Sequence, residues 1–264
     1  MSTISSIYLY GSSGEPEYKV EEITTYLKNI YPKAKTEERG DFFPSLLKRP
    51  DSLDVDELAK RITCSRVHNV SEKLKKFSPL PLEIEYEKKR LSGEKQLKGI
   101  IYDGFNLQAI CRELLGLKEF NSSSCHIIFT NQLLASFDNN DRRYHLRAGI
   151  YGQPNIISVS GLVEALAKPR EYYLKMQIGQ DALSLSQEFK GDIIEYEDTR
   201  ITELLKGYCL QAIFYHLSGD PFCSDKNCRL YNAHWQKDAI LAQIEAEYEF
   251  CPKHTEIISQ WKNR

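Results

Sequence analysis

Along this 264-residue chain the spacing of apolar side chains changes repeatedly, and each change predicts an element. Ile7-Tyr-Leu-Tyr10 is a short β-prone run, and Gly11-Ser-Ser-Gly14 after it reads as a turn. Val20, Ile23, Leu27 and Ile30 then recur at helical spacing until Pro32 stops them. A strand feeding a helix predicts an α/β layered domain. Asp54 to Val67 reads as a second helix, capped by Asp54, with Leu58, Ile62 and Val67 on its apolar stripe. Residues 72–98, rich in Lys and Glu, read as a surface excursion with solvated charges. Ile100-Ile-Tyr102 predicts a strand, followed by a helix with Leu107, Ile110, Leu114 and Leu115 on one side. Cys125-His-Ile-Ile-Phe-Thr130 is almost continuously apolar, as in the middle of a sheet. His126 within it is read as satisfied by a neighbouring backbone group.

Asp138-Asn-Asn-Asp141 is a turn of locally hydrogen-bonding side chains. Beyond it, polar and apolar residues partly alternate from Arg142 to Gly152, as in a strand with one wet face. That face carries Arg143, His145 and Arg147, which could receive an anionic ligand or a C-terminal carboxylate. The competing reading is an edge strand protected from aggregation by its charges. Asn155 to Val159 predicts another strand, and Gly161 to Ala167 a short helix. Asp198 or Thr199 caps a long helix with Ile201, Leu204, Leu205, Tyr208, Ala212 and His216 or Leu217 on one stripe. Gly219 is a natural left-handed stop for it. Ala239 to Tyr248 predicts a last helix.

Composition narrows the function classes. Lys and Arg number 35 and Asp and Glu 37, a formal net charge of -2, so no general affinity for nucleic acid or anionic membrane is expected. No apolar run approaches the roughly 20 residues of a membrane span. Met1-Ser-Thr-Ile-Ser-Ser lacks the regions of a signal peptide, and a cytoplasmic protein is the expectation. Gly11 and Gly14 lack the Gly-Lys-Ser/Thr of a phosphate loop, so an ordinary turn is preferred there.

Seven cysteines in a chain of this size do not resemble a disulfide framework. Cys223 and Cys228 flank four residues, and Cys251 and His254 flank two. Two such pairs, each across a tight turn, are what a tetrahedral structural zinc needs. The alternative is three unpaired thiols and a surface histidine. His234 is a spare ligand should His254 not coordinate.

A long helix ending in H-x-x-G, then Cys-x4-Cys and a later Cys-x2-Cys-type pair, resembles the archaemetzincins. Their motif is H-E-x-x-H-x-x-G-x-x-H-C-x4-C-x-M, with a second, structural zinc on the cysteines. The likeness, strongest to a divergent archaeal branch labelled as metallopeptidases, covers roughly residues 198–258. It places Cys223, Cys228 and Cys251 on family cysteines and His254 where a fourth is expected. Gly219 falls on the family glycine and His216 on the second zinc histidine. Ala212 stands for the first histidine, Ile213 for the general-base glutamate, Phe222 for the third histidine and Leu230 for the methionine. One catalytic ligand of three remains and the base is absent, so His216 is a remnant.

The expectation is therefore a metzincin-like mixed, mostly parallel α/β sheet with packed helices and a C-terminal zinc knuckle. Residues 1–197 would form the sheet region. Residues 198–264 would carry the degenerate helix and a Cys3His subdomain with one zinc, the whole forming one compact unit. The expected function is non-catalytic binding of a peptide, a protein or a small anionic ligand in the old cleft. Two rivals are an active metallopeptidase using unconventional ligands (His145, His126, Glu164, Asp220) and a nucleic-acid-associated zinc protein.

Overall fold

The computed structural model describes residues 3–11, 18–47, 54–93 and 99–263, and the turn expected at Ser12 to Gly14 lies outside them. The described strands are β1 (Ser6–Tyr10), β2 (Lys35–Arg39), β3 (Ile101–Asp103), β4 (Ser124–Thr130), β5 (Leu133–Asp138), β6 (Arg143–Arg147), β7 (Gly149–Ile150) and β8 (Asn155–Ser158). The helices begin with α1 (Val20–Ile30), α2 (Phe42–Leu47), α3 (Val55–Thr63), α4 (Pro81–Leu91), α5 (Gly104–Glu119) and α6 (Val159–Glu164). They continue with α7 (Arg170–Gln177), α8 (Ala182–Glu188), α9 (Ile201–Ser218), α10 (Gln236–Ile240) and α11 (Pro252–Asn263), with a π-helical turn at Leu241–Glu245.

The larger sheet has the order β2-β1-β4-β8-β7, parallel except for the antiparallel edge strand β7. A smaller sheet, β3-β5-β6, pairs β3 parallel and β6 antiparallel to β5. This is a mixed, mostly parallel α/β fold with packed helices, as the alternation of strand and helix patterns predicts. Strand side chains alternate between two cores. Ile7, Leu9, Cys125, Ile127 and Ile157 share one core with α1, α6, α9 and α11. Tyr10, Ile128 and Ile156 share the other with α2, α3, α5 and the smaller sheet. Residues on both sides of position 197 contribute to the first core.

Several elements depart from the sequence reading. Helix α3 stops at Thr63 rather than Val67, because Arg66 bridges Tyr102 and Val67 N–H donates to Ile101 O at 2.8 Å. The charged stretch 72–98 contains α4, whose Glu87 is fully buried instead of solvated. Its carboxylate accepts from Arg66, Arg90 and Tyr102, which replace the water it loses. Leu133-Leu-Ala-Ser-Phe-Asp138, unassigned from the sequence, is strand β5.

Helix α9 is not a one-sided stripe, since every residue from Gly207 to Phe214 is buried. A helix apolar all round belongs inside the molecule, and α9 lies against α1, β4, β8 and the π-helical turn. Gly219 closes it at φ 75°. The predicted helix over Ala239 to Tyr248 exists only as α10 and the π-helical turn, and the closing helix is α11. Pro252 starts α11, where a missing N–H costs nothing. Among the described residues, no helix is long and apolar enough to cross a membrane.

Candidate metal centre and the cavity beside helix α9

The chain leaving α9 folds back at once. Cys223 N–H donates to Leu230 O at 2.8 Å, and Cys228 N–H donates to Asp225 O at 3.1 Å. These bonds bring the two cysteines of the Cys-x4-Cys turn together. The other pair stands at the start of α11, Cys251 just before it and His254 in its first turn, with Thr255 N–H donating to Cys251 O at 2.9 Å. The ligand atoms of Cys223, Cys228, Cys251 and His254 all lie within 4.8 Å of one another, and four such donors can hold one metal ion.

The separations have the right scale. Cys223 and Cys251 sulfurs are 3.8 Å apart, and His254 Nδ1 lies 3.1 Å from Cys251 Sγ. Zinc–sulfur bonds of about 2.3 Å in a tetrahedron put neighbouring sulfurs about 3.8 Å apart. Asp225 N–H also points at Cys223 Sγ at 3.4 Å, a bond that favours a thiolate. Burial pushes the Cys228 thiol up to about 12 and raises Cys223. Cys223 and Cys228 would deprotonate together only against a cation. Burial lowers His254, so its imidazole is neutral at pH 7, the form that coordinates. Phe214 of α9 packs edge-on to His254 with centroids 5.2 Å apart, joining the cluster to the core.

A second feature lies where α9 faces the sheet edge. A cavity of about 120 Å³ is bounded by Leu146 to Gly149 and Tyr151, by Tyr208 and Gln211 of α9, and by Phe222 and Asn232 to His234. The Tyr151 hydroxyl donates to Gln211 Oε1 at 2.5 Å, and burial holds Tyr151 well above its ordinary pKa. Gln211 in turn donates to Tyr231 O at 3.2 Å.

A family model described as "Probable metallopeptidase family (DUF6775)" matches residues 3–261. The chain belongs to this family. No curated protein and no solved structure matches it.

The description of this family raises the question of a catalytic metal. Such a zinc needs three protein ligands, an open position for water and a base. Where the archaemetzincin resemblance would put the H-E pair, Ala212 and Ile213 are fully buried. His216 Nε2 donates to the backbone carbonyl of Ser122 at 2.8 Å. Phe222 stacks edge-on to Tyr151, and Leu230 is fully buried. The residues present do not fit a catalytic zinc at this place.

The other site candidates are dispersed. On β6, His145 Nε2 bonds Asp141 at 2.5 Å, and Arg143 lies 3.6 Å from the same carboxylate oxygen. Arg147 donates from Nε to Ser136 Oγ at 2.8 Å and borders the cavity. His126 is fully buried between Tyr10 and the carbonyl of Glu119, at 3.1 Å from each. Glu164 accepts from the Tyr196 hydroxyl. His234, the spare metal ligand of the sequence reading, borders the cavity. Tyr151, Gln211 and Asn232 were missed altogether. The polar run Asn232-Ala-His-Trp235 straight after the cysteine turn was the one available signal for this site.

Proposed function

We propose that this protein is a non-catalytic, archaemetzincin-like member of its metallopeptidase family that works as a zinc-stabilised binding protein. In this reading one zinc on Cys223, Cys228, Cys251 and His254 fastens the end of α9 to α11. The cavity beside α9 takes the place of the old cleft and receives a peptide or another small ligand. A thiolate zinc site suits a reducing compartment, in keeping with a cytoplasmic location. The observation that carries the proposal is the complete burial of Ala212 and Ile213 in the apolar core, where a peptidase would carry its first zinc histidine and its base.

The zinc, when bound, supplies a rigid four-point crosslink with no vacant position for water. The chain itself supplies the recognition surface, in which Tyr151 and Gln211 hold each other in place and Phe222 forms an apolar wall. Elemental analysis of protein purified from zinc-supplemented cells tests this. One zinc per chain is expected, lost in Cys228→Ser and retained in His216→Ala. Two zincs per chain would overturn the proposal, as would chelator-sensitive hydrolysis of casein that His216→Ala abolishes.

A further inference from the structure

The cavity beside α9 has an uneven inventory of polar groups. Its apolar walls are Leu146, Leu166, Tyr208 and Phe222, and no aspartate or glutamate lines it. Gln211 and Tyr151 spend their polar atoms on each other and on Tyr231. Arg147, Asn232 and His234 do not. Among the described residues, Ser136 is the hydrogen-bond partner of the Arg147 side chain, which has no carboxylate within ion-pairing distance. The side chains of Asn232 and His234 have no protein partner among the described residues either. The two other basic side chains of β6 differ in this respect, since Arg143 and His145 both sit at Asp141.

We propose that this cavity binds a carboxylate attached to a short apolar group, with Arg147 as its charge partner and Asn232 and His234 as further donors. The proposal rests on the binding role argued above and names the ligand class for it. A guanidinium with one N–H already fixed is pre-organised to give its remaining donors to a planar carboxylate. The absence of acids from the lining means that an incoming anion meets no repulsion there. The cavity has a volume of about 120 Å³. That suits a carboxylate carrying a small aliphatic side chain. Leu146, Leu166 and Phe222 would cover the side chain. The carboxylate can belong to a free small acid or to the C-terminal residue of a peptide, and both present the same atoms.

Isothermal titration calorimetry on the full chain decides the matter with four probes: N-acetyl-valine, its amide, a hexapeptide ending in valine, and that peptide amidated. The expected result is binding of the acids at least tenfold tighter than of their amides. Arg147→Gln is expected to weaken the acids at least tenfold and to close the gap between acid and amide. Ala233→Leu, which narrows the cavity without touching the charge, is expected to weaken all four. A peptide acid that binds tenfold tighter than N-acetyl-valine supports a chain terminus as the ligand, and equal affinities support a free acid. Equal affinity for acid and amide overturns the proposal. So does an unchanged Arg147→Gln variant with a wild-type melting temperature, or the absence of heat for every probe at millimolar concentration. Any of these leaves the one-zinc, non-catalytic reading standing. Two zincs per chain would remove that reading without affecting the calorimetry.

Discussion

Cys228 Sγ lies 3.5 Å from His254 Nδ1, although 26 residues separate them in the chain. The first lies in the turn that follows α9 and the second in the first turn of α11, so a metal between them closes a long loop. Replacing Cys228 by serine should abolish stoichiometric zinc and lower the melting temperature by about 5 °C or more. Scanning calorimetry with and without EDTA checks this. A wild-type melting temperature indifferent to chelator would remove the structural role assigned to the metal.

Ile213, where the archaemetzincin resemblance would put the general base, is fully buried in the first core. Ile213→Glu should therefore destabilise the protein by about 3 kcal/mol or more, because a lone carboxylate would lose its hydration there. It should also confer no peptidase activity. Urea unfolding measures the first effect and a casein assay the second.

Gly207 sits in the middle of α9, and a Cβ built there would fall 1.7 Å from Gln243 Oε1. Gln243 has little freedom to retreat, since its Nε2 donates to Arg229 O at 2.7 Å. Gly207→Ala is expected to cost about 1–3 kcal/mol despite alanine's better helix propensity. Adding Gln243→Ala should recover part of that loss. A double-mutant cycle with no coupling between the two would show that the contact is not the cause.

His126 supplies a pH dependence. Burial lowers its pKa, and its Nε2–H is held by Glu119 O while Nδ1 accepts from the Tyr10 hydroxyl. The unfolded chain, with an ordinary value near 6.5, binds the proton first as pH falls. Stability is thus fully present above about pH 6.5 and is lost on acidification below it, by at most about 1.4 kcal/mol per pH unit. His126→Gln should flatten this slope between pH 6.5 and 5 relative to the parent. Unfolding curves across that range settle the comparison.

Much of the fold was legible in the pattern of residues. Val20, Ile23, Leu27 and Ile30 predict α1 within a residue, and the apolar run after Cys125 predicts a central strand. Leu133 to Asp138 escaped because its first four residues are buried, so it shows no alternation of wet and dry faces. Glu87 misled for a related reason. A carboxylate reads as solvated until the arginines that satisfy it, here Arg66 and Arg90, are placed beside it by packing.

The four metal-site candidates and the apolar character of Ala212 and Ile213 on α9 follow from the sequence by itself, because ligand type and helical spacing are local properties of the chain. The tertiary structure alone decided that Arg147 parts from Arg143 and His145. It alone brought Asn232 and His234 to the same cavity as Arg147 and returned His254 to Cys228. Those relations join segments tens of residues apart, and only the packing of α9 between the sheet and the C-terminal helices brings them within reach.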